Sequence, residues 1–461
     1  MMRWGILLIG WILIGPSLRA QTDSTVLSFE EYFQNILEYH PLAQSANLQL
    51  DLREAELLGA RGLLDPIVKA DWNQKNFDDK LYYQIYSGKL LIPTPLGVDV
   101  VAGYENTDGI FLNPERTTDR FGLWNFGVEV NALQGLLINE RRTALRQAEV
   151  FQNLAESQRR ILLNDLLYAA ADAYFNWQEN FYAQEVLAEN IDLAAVYFVG
   201  TRESYLGGEK TAMDTLEAYI QLQDATIRYQ KRELDLIKAR QNVENFLWFR
   251  ETPVLLRPQT TPEDYQDPLL PDARIFAEQN LAGHPLVLAA INKLSILELE
   301  QRLKREKLKP KLKIKYNPLL ATDDTDISPN LNSNDFKWGF DFSFPLLLRS
   351  ARADVQRGEV KLLEAGLDLQ NKRNELLNKI EGSLEQLAIL DEQLILQERN
   401  LDRYLRLLEG ERELFRFGES SVFLLNKRQE KYIDGRIKLI ETYVKRQMEA
   451  LNFMFYTNRL L

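Results

Sequence analysis

The chain has 461 residues, of which 45% are hydrophobic and 26% are charged, and its formal net charge at pH 7 is −12. The excess of carboxylates argues against a nucleic-acid partner, because phosphate binding needs clustered Lys and Arg. The sequence has no cysteine, which excludes disulfides, thiolate metal sites and a lipoprotein's acylated cysteine. Its two histidines leave little material for imidazole catalysis or a histidine metal cluster. Composition therefore predicts a protein that is not an enzyme and needs no cofactor.

Residues 1–20 have the organisation of a secretory signal. Arg3 supplies the positive start, Trp4–Ile14 is apolar, and Pro16–Ala20 is a short exit segment. The apolar stretch is shorter than the roughly 20 residues that a spanning helix needs. We expect cleavage after Ala20, with a retained membrane anchor as the alternative. No later segment is as apolar, so a membrane-embedded part of the exported chain would have to be a β-barrel.

The sequence contains two copies of one unit. His40–Asn73 aligns without a gap with His284–Asn317 at an offset of 244 residues, and Gly208-Glu209 matches Gly418-Glu419 at an offset of 210. The difference places 34 extra residues in the first copy, between Asn73 and about Gly127. An internal repeat of this kind predicts two versions of the same supersecondary structure.

A proline-rich stretch separates the copies. Residues 251–271 contain five prolines, which are excluded from helix interiors and central strands, so this stretch is predicted to be a linker. The first repeat then covers residues 21–250 and the second covers 272–461.

Each copy has the same predicted order of elements. A short helix opens it, with a capping-box pattern at Ser28 and Glu31 and with Asp272 at the matching position of the second copy. A His-Pro pair then begins a second helix. Strands follow over about 66–132 in the first copy and about 311–345 in the second, and long helical hairpins follow over about 138–249 and 349–460.

One predicted strand has an entirely aromatic face. Its alternate residues are Phe336, Trp338, Phe340, Phe342 and Phe344. Lys337, Gly339, Asp341 and Ser343 lie between them. Such a face could form the core of a soluble sheet, but aromatic residues outside with polar residues inside are typical of a lipid-facing barrel strand. Four strands per chain cannot close a barrel, which needs about eight, so a trimer with about twelve strands is the simplest arrangement.

The 34 extra residues contain a second alternating stretch, LYYQIYSGKLLIPTPLGVDVVAGYE. The sequence leaves open whether residues from about 74 to 124 add barrel strands or form a long external loop.

The helices are long. Between about Ile138 and Tyr205 there is no proline, and Gly200 is the one glycine. Apolar or small residues recur there at spacings of coiled-coil type: Ala144, Ala148, Phe151, Ala155, Leu162, Leu166, Ala169 and Ala173. A filament-like coiled-coil protein without a pore explains these helices, but it explains neither the export signal nor the alternating strands.

Taken together, these segments resemble the TolC-like outer-membrane efflux channels over essentially the whole mature chain. LSFEEYFQNILEYHPLAQSANLQLDLREAELLGARGLLDP is similar to the opening of that family. GVEVNALQGLLINERRTALRQAE and GFDFSFPLLLRSARADVQRGE resemble its strand-to-helix junctions, and GGEKTAMDTLEA resembles its helical tip.

The resemblance implies a mainly α fold with a small β part: a trimeric, twelve-stranded outer-membrane β-barrel continued by a periplasmic α-helical barrel. Members take substrate from an inner-membrane transporter through a periplasmic adaptor protein, and they catalyse nothing. Residues that match the adaptor-facing tips are Gly207, Gly208, Asp214, Gly418, Glu419 and Ser421. A glycine here is also what an ordinary turn requires, and Asp214 suits a helix start.

Two features of the tips remain open in the sequence. The second copy has Leu424 where the first has Asp214, so the two tips are not chemically equivalent. Glu409, Glu411 and Glu413 are gate candidates by location alone, since charges on a long helix usually face solvent. The predicted function is a passive trimeric duct through the outer membrane, embedded in its lipid. The alternative is a secreted or periplasmic coiled-coil interaction protein.

Overall fold

The computed structural model describes residues 26–267, 270, 278–321 and 334–461. The predicted signal peptide, the end of the predicted linker and the predicted start of the second copy at Asp272 lie outside these residues. Within the described ranges, no helix combines the length and the apolar character needed to cross a bilayer.

Most of the described residues lie in α-helices, and a smaller number lie in strands. The helices are α1 (Phe29–Tyr39), α2 (Pro41–Gly62), α3 (Glu140–Leu206), α4 (Ala212–Glu244), α5 (Pro285–Glu306), α6 (Arg349–Arg416) and α7 (Val422–Tyr456). The strands are β1 (Val26–Leu27), β2 (Ile67–Phe77), β3 (Lys80–Ile92), β4 (Val98–Asp108), β5 (Leu123–Asn131), β6 (Trp248–Phe249), β7 (Thr252–Pro253), β8 (Thr261–Pro262), β9 (Lys311–Ala321) and β10 (Phe336–Ser343).

The two His-Pro pairs begin α2 and α5 in the same way. His40 and His284 are the residues just before these helices, and proline occupies the first turn of each. The imidazole Nδ1 of His40 accepts a hydrogen bond of 3.1 Å from the Leu42 N–H, and that of His284 accepts one of 3.2 Å from the Leu286 N–H. Each histidine therefore caps an otherwise unsatisfied backbone donor at the start of a helix.

Helices α3 and α6 contain 67 and 68 residues. At a rise of 1.5 Å per residue, each is about 100 Å long. Each is followed by a turn with a glycine at positive φ, Gly208 after α3 and Gly418 after α6, and then by the return helix, α4 or α7.

The long strands form one six-stranded sheet in the order β10-β9-β5-β4-β3-β2, and all neighbours in it are antiparallel. Most of residues 74–124, which the sequence left as strands or a loop, lie in β2, β3 and β4 of this sheet. The count of four strands per chain was therefore wrong. It missed the two strands that the extra 34 residues insert between the duplicated ones.

The chain divides into two compact units. The described parts of residues 1–35, 173–269 and 397–444 form the tip unit, which contains the glycine turns. The described parts of residues 36–172, 270–396 and 445–461 form the sheet unit.

The core of the tip unit contains large aromatic residues from α1 and α3. Tyr32, Tyr174 and Trp177 are fully buried. The Tyr174 hydroxyl donates to the Leu27 carbonyl at 2.8 Å and accepts from the Glu263 N–H at 3.0 Å. The predicted linker thus takes part in the packing: its β8 pairs with β1, and Tyr174 joins both segments.

The sheet unit has a separate helical core. Leu376, Ile380 and Leu387 of α6 pack with Val287 of α5 and Phe453 of α7. Side-chain hydrogen bonds join α3 to α7 in the same unit, from the Asn164 amide to the Phe455 carbonyl at 3.0 Å and from the Tyr168 hydroxyl to Asn452 at 2.8 Å.

Candidate membrane and docking surfaces

One face of the six-stranded sheet is almost entirely apolar. The strand pairing places these alternate side chains on the same face: Val68, Ala70 and Trp72 of β2, Tyr86 and Leu90 of β3, Val100, Ala102 and Tyr104 of β4, Trp124, Phe126, Val128 and Val130 of β5, Leu312, Ile314 and Tyr316 of β9, and Phe336, Trp338, Phe340 and Phe342 of β10. The predicted lipid-facing residues belong to this face and, with Phe344, are between 37% and 64% exposed.

Aromatic rings contact one another along this face. The rings of Tyr104 and Trp124 lie 4.8 Å apart between centroids, and those of Tyr316 and Phe336 lie 5.8 Å apart. Offset aromatic pairs of this kind contribute stability beyond the area they bury. An exposed apolar face of this extent is unfavourable in water, and such faces are normally covered by lipid or by another protein surface.

The opposite face of the sheet is polar and bears ion pairs between strands. Glu129 of β5 accepts from Lys89 of β3 at 2.7 Å and also contacts Lys313 of β9, and Lys315 of β9 lies 2.6 Å from Asp341 of β10. The Glu129 side chain is only 6% exposed, whereas that of Lys89 is 44% exposed. The Lys89–Glu129 pair crosses β4, whereas the other two pairs join neighbouring strands, and all three oppose any slip of the strand register.

Glycines make room for this polar network. A Cβ at Gly103 of β4 would lie 2.7 Å from the Asn125 side chain, and one at Gly127 of β5 would lie 2.1 Å from the Tyr316 carbonyl oxygen. A side chain at position 127 would push the neighbouring strand β9 away, and one at position 103 would displace the Asn125 side chain.

At the base of the sheet, charged residues line a cavity of 510 Å³ between strand ends and the helices α3 and α5. Arg141 of α3 reaches Asp99 at 2.5 Å, and Lys307 reaches Glu140 at 2.7 Å. The described residues contain no group of His, Asp and Glu side chains placed to hold a metal ion. The carboxylates named here are occupied by ion pairs, so their arrangement serves the junction between sheet and helices.

The first predicted tip turn is built around a capping box. Gly208 has φ of +82°, a conformation that favours glycine. Thr211 is the residue before α4, and its hydroxyl oxygen accepts from the Asp214 N–H at 3.2 Å. The Asp214 carboxylate accepts from the Thr211 N–H at 2.9 Å. This backbone hydrogen bond, with the one from the Thr211 hydroxyl, lowers the pKa of Asp214.

The second tip turn closes differently. Gly418 has φ of +77°, and the Ser421 hydroxyl accepts from the Leu424 N–H at 3.2 Å. Leu424 cannot return a hydrogen bond as Asp214 does. Ser420 instead donates to Glu411 at 2.5 Å, and Arg428 contacts the same carboxylate at 3.4 Å.

Side chains connect the two tip turns. The Lys210 ammonium lies 4.6 Å from the centroid of the Phe415 ring, and Arg412 donates to the Tyr197 hydroxyl at 2.8 Å. Of the acidic gate candidates, Glu411 is buried and ties the second turn together, while Glu409 and Glu413 are exposed. No sequence pattern pointed to Lys210, Phe415 or Ser420, because their contacts depend on how the two hairpins pack.

The same arrangement of elements occurs in solved outer-membrane proteins. Over 93% of this chain, the structure superposes on the CmeC outer membrane channel of Campylobacter jejuni with a TM-score of 0.67, 12% identity and 85% of that chain covered. For the outer membrane protein VceC of Vibrio cholerae, the TM-score is 0.68 with 10% identity, and 93% of this chain and 95% of that chain are covered. The MtrE outer membrane channel of Neisseria gonorrhoeae gives 0.61 with 13% identity, and coverage of 93% and 88%.

The chain has the fold of the TolC-like outer-membrane channels.

The TolC-like fold that the sequence resembles is thus confirmed by structure. No family model and no curated protein matches the sequence. At 10% to 13% identity, few residues of this chain are the same as those at equivalent positions of the compared proteins. A fold of this kind is specified by periodicity, caps and turns, which many sequences can satisfy.

Proposed function

We propose that this chain is the outer-membrane component of a tripartite export system. Three copies would form a passive duct from the periplasm to the outside, and residues 1–20 would direct the export of each copy. A periplasmic adaptor and an inner-membrane transporter would supply the cargo and the energy, so the duct itself carries out no reaction.

The observation that carries this proposal is the division of the sheet into two faces. Exposed aromatic and aliphatic side chains cover one face across all six strands, and the other face bears buried carboxylates, lysines and glycines. A transmembrane barrel strand needs an apolar side toward lipid and tolerates a polar side toward a wet lumen. A sheet inside a soluble domain would need a second layer over its apolar face.

Several copies are needed because one chain leaves apolar surface along its helices as well. On α4 the exposed residues Leu216, Ile220, Ile227 and Leu234 recur at spacings of four and seven. This spacing forms a stripe along one side of a helix and suits packing against another helix. Neighbouring copies of the same chain are the covering that we propose.

The tips are the proposed docking surface for the adaptor. Gly207, Gly208, Asp214, Gly418, Glu419 and Ser421 remain the predicted contact residues. Large apolar side chains beside the two turns support a docking role, because Leu206, Met213 and Phe417 are at least 73% exposed. Exposed apolar residues grouped at one place typically mark an interaction site.

A charge on the apolar face tests the membrane proposal. We expect Phe340→Lys to prevent assembly in the outer membrane, because Lys on the lipid face of a barrel costs about 2–4 kcal/mol near the bilayer centre. The matched control is Gly339→Lys, one residue away on the polar face, where an added Cβ meets nothing within 4 Å. The readout is the amount of each variant in separated outer membranes.

Equal assembly of both variants would contradict the lipid-facing assignment. The particle mass after extraction in mild detergent provides the second test. A trimer from the outer-membrane fraction supports the duct. A soluble periplasmic monomer or dimer would overturn it in favour of a coiled-coil interaction protein.

A further inference from the structure

The hairpin formed by β3 and β4 is continuous with the rest of the sheet. β3 pairs with β2 from Lys80 to Leu91 and with β4 from Gln84 to Ile92, and β4 pairs with β5 from Val98 to Glu105. Its two strands therefore lie inside the sheet. An external loop would extend beyond it.

The hairpin also has the same two faces as its neighbours. Tyr86, Leu90, Val100 and Tyr104 belong to the apolar face, while Lys89 and Asp99 lie on the polar face. Lys89 reaches across β4 to Glu129 of β5, so the hairpin takes part in the ion pairs that connect the strands. A loop outside the membrane would not require its apolar residues to lie on the same face as those of the membrane-facing strands.

We propose that β3 and β4 cross the membrane, and that three copies with six strands each close a barrel of eighteen strands. The resemblance to TolC-like channels implied twelve. This inference rests on the proposed duct and specifies its width.

The contact that closes this barrel lies between β2 of one copy and β10 of the next. These are the two edge strands of the sheet, and all 11 residues of β2 are exposed in the single chain. Six antiparallel strands leave β2 and β10 running in opposite directions, so they can pair as antiparallel neighbours around a ring. An unpaired strand edge is not tolerated in lipid, and six strands are too few to close on themselves.

The side chains of the two edges suit this pairing. On the polar face, β2 offers Lys69 and Asp71, and β10 offers Lys337 and Asp341. On the apolar face, Val68 and Trp72 would continue the aromatic surface of β10. Pairing with further copies of the chain would therefore match polar residues with polar residues and apolar residues with apolar residues at both edges of the sheet.

Eighteen strands make a wider opening than twelve. With strands about 4.8 Å apart and tilted by about 40°, the backbone diameter rises from about 24 Å to about 36 Å. Cargo of larger cross-section than a twelve-stranded barrel admits could then pass the membrane.

Cysteine labelling tests whether the hairpin spans the membrane. The chain has no cysteine, so single Cys substitutions can be made one at a time along Gln84–Ile92 and Val98–Asp108. In outer membranes, a water-soluble, membrane-impermeant maleimide should label polar-face positions such as Ser87 and Glu105 and spare apolar-face positions such as Leu90 and Val100. β9 provides the control, with Lys313→Cys labelled and Ile314→Cys spared.

Uniform labelling of β3 and β4 beside an alternating β9 would overturn the eighteen-stranded barrel and leave the duct intact. Absence of the protein from the outer membrane would instead refute the duct itself.

Disulfide formation tests the closing contact. Asp71→Cys combined in turn with Lys337→Cys, Gly339→Cys and Asp341→Cys should give a covalent trimer for one register. Asp71→Cys with Ser87→Cys, which are direct partners within the sheet, is the positive control for an internal bond. If the control pair forms its bond and none of the three combinations joins the copies, the proposed contact is wrong.

Discussion

At the scale of single residues, the two histidines show how position defines a role. Both cap a helix through Nδ1, which must be unprotonated to accept a hydrogen bond. Burial, with a smaller effect of Arg160, lowers the pKa of His284 to about 4. In the described part of the chain, neither histidine belongs to a group of three or more side chains placed to hold a metal ion.

This cap predicts a pH-dependent stability. Because the folded pKa of His284 lies below its unfolded value, the unfolded chain binds the extra proton as pH falls from about 6.5 toward 4. Full stability is expected above this range, with a loss of about 2 kcal/mol in the free energy of unfolding between pH 7 and pH 5. Denaturant unfolding in detergent at both pH values measures it.

His284→Asn is the control, because Asn caps a helix and does not titrate in this range. An unchanged pH dependence in this variant would show that other groups are responsible.

Glu129 is the residue on which the polar face depends most. Replacing it by Gln leaves Lys89 and Lys313 without their shared carboxylate; because both lysines are partly exposed, the cost is that of lost charge-assisted hydrogen bonds, about 1.5–3 kcal/mol. We expect Glu129→Gln to lower the temperature at which the protein unfolds. Gel electrophoresis of samples heated to increasing temperatures measures it. Glu105→Gln is the control, because Glu105 is 43% exposed and lies 3.9 Å from Lys337. Equal losses in both variants would contradict a special role for Glu129.

At the scale of elements, the two tips differ by one side chain, which provides a paired test. Asp214→Leu should remove the reciprocal hydrogen bond at α4, at a cost of about 1 kcal/mol, and speed amide hydrogen exchange in its first turn. Leu424→Asp should build the missing carboxylate beside Ser421 and slow exchange at the start of α7. If exchange is unaffected in both, the capping box does not set the stability of the tips.

The helix α3 shows where sequence periodicity succeeds and where it fails. Ala148 and Ala155 are buried as their spacing predicts, but Leu162 and Ala169, the next positions at intervals of seven, are exposed. Leu163 and Ala170 are buried instead. An α-helix with 3.6 residues per turn drifts by about 20° per heptad, so a strict seven-residue stripe leaves the buried face after a few turns.

At the scale of the whole molecule, the uncovered stripe on α4 predicts that folding and assembly are linked. Ile227→Lys should weaken the proposed trimer, because it would remove about 2 kcal/mol of apolar burial per copy and place charges at the proposed contact. Light scattering of the detergent-extracted protein over a dilution series measures the effect. Ile227→Leu, which keeps the apolar surface, should remain trimeric. A trimer of unchanged stability in the Lys variant would show that this stripe is not an interface.

The sequence by itself determined much of this protein, because several signals are local. The duplication, the His-Pro helix starts, the glycine turns and the alternating strand at Phe336–Ser343 depend on residues close together in the chain, and together they predict the TolC-like fold. They also placed all six tip residues beside the turns, whose contacts with a partner stay a prediction.

Tertiary structure alone decided the rest. Whether β3 and β4 join the sheet depends on their hydrogen bonds to β2 and β5, since alternation suits a loop hairpin equally well. The ion pairs of Glu129 join residues that are 40 and 184 positions apart in the sequence. A local sequence pattern contains no information about contacts between such distant residues. Strand order and the burial of charge are settled by pairing and packing between distant segments, which is why six strands appear where four were expected.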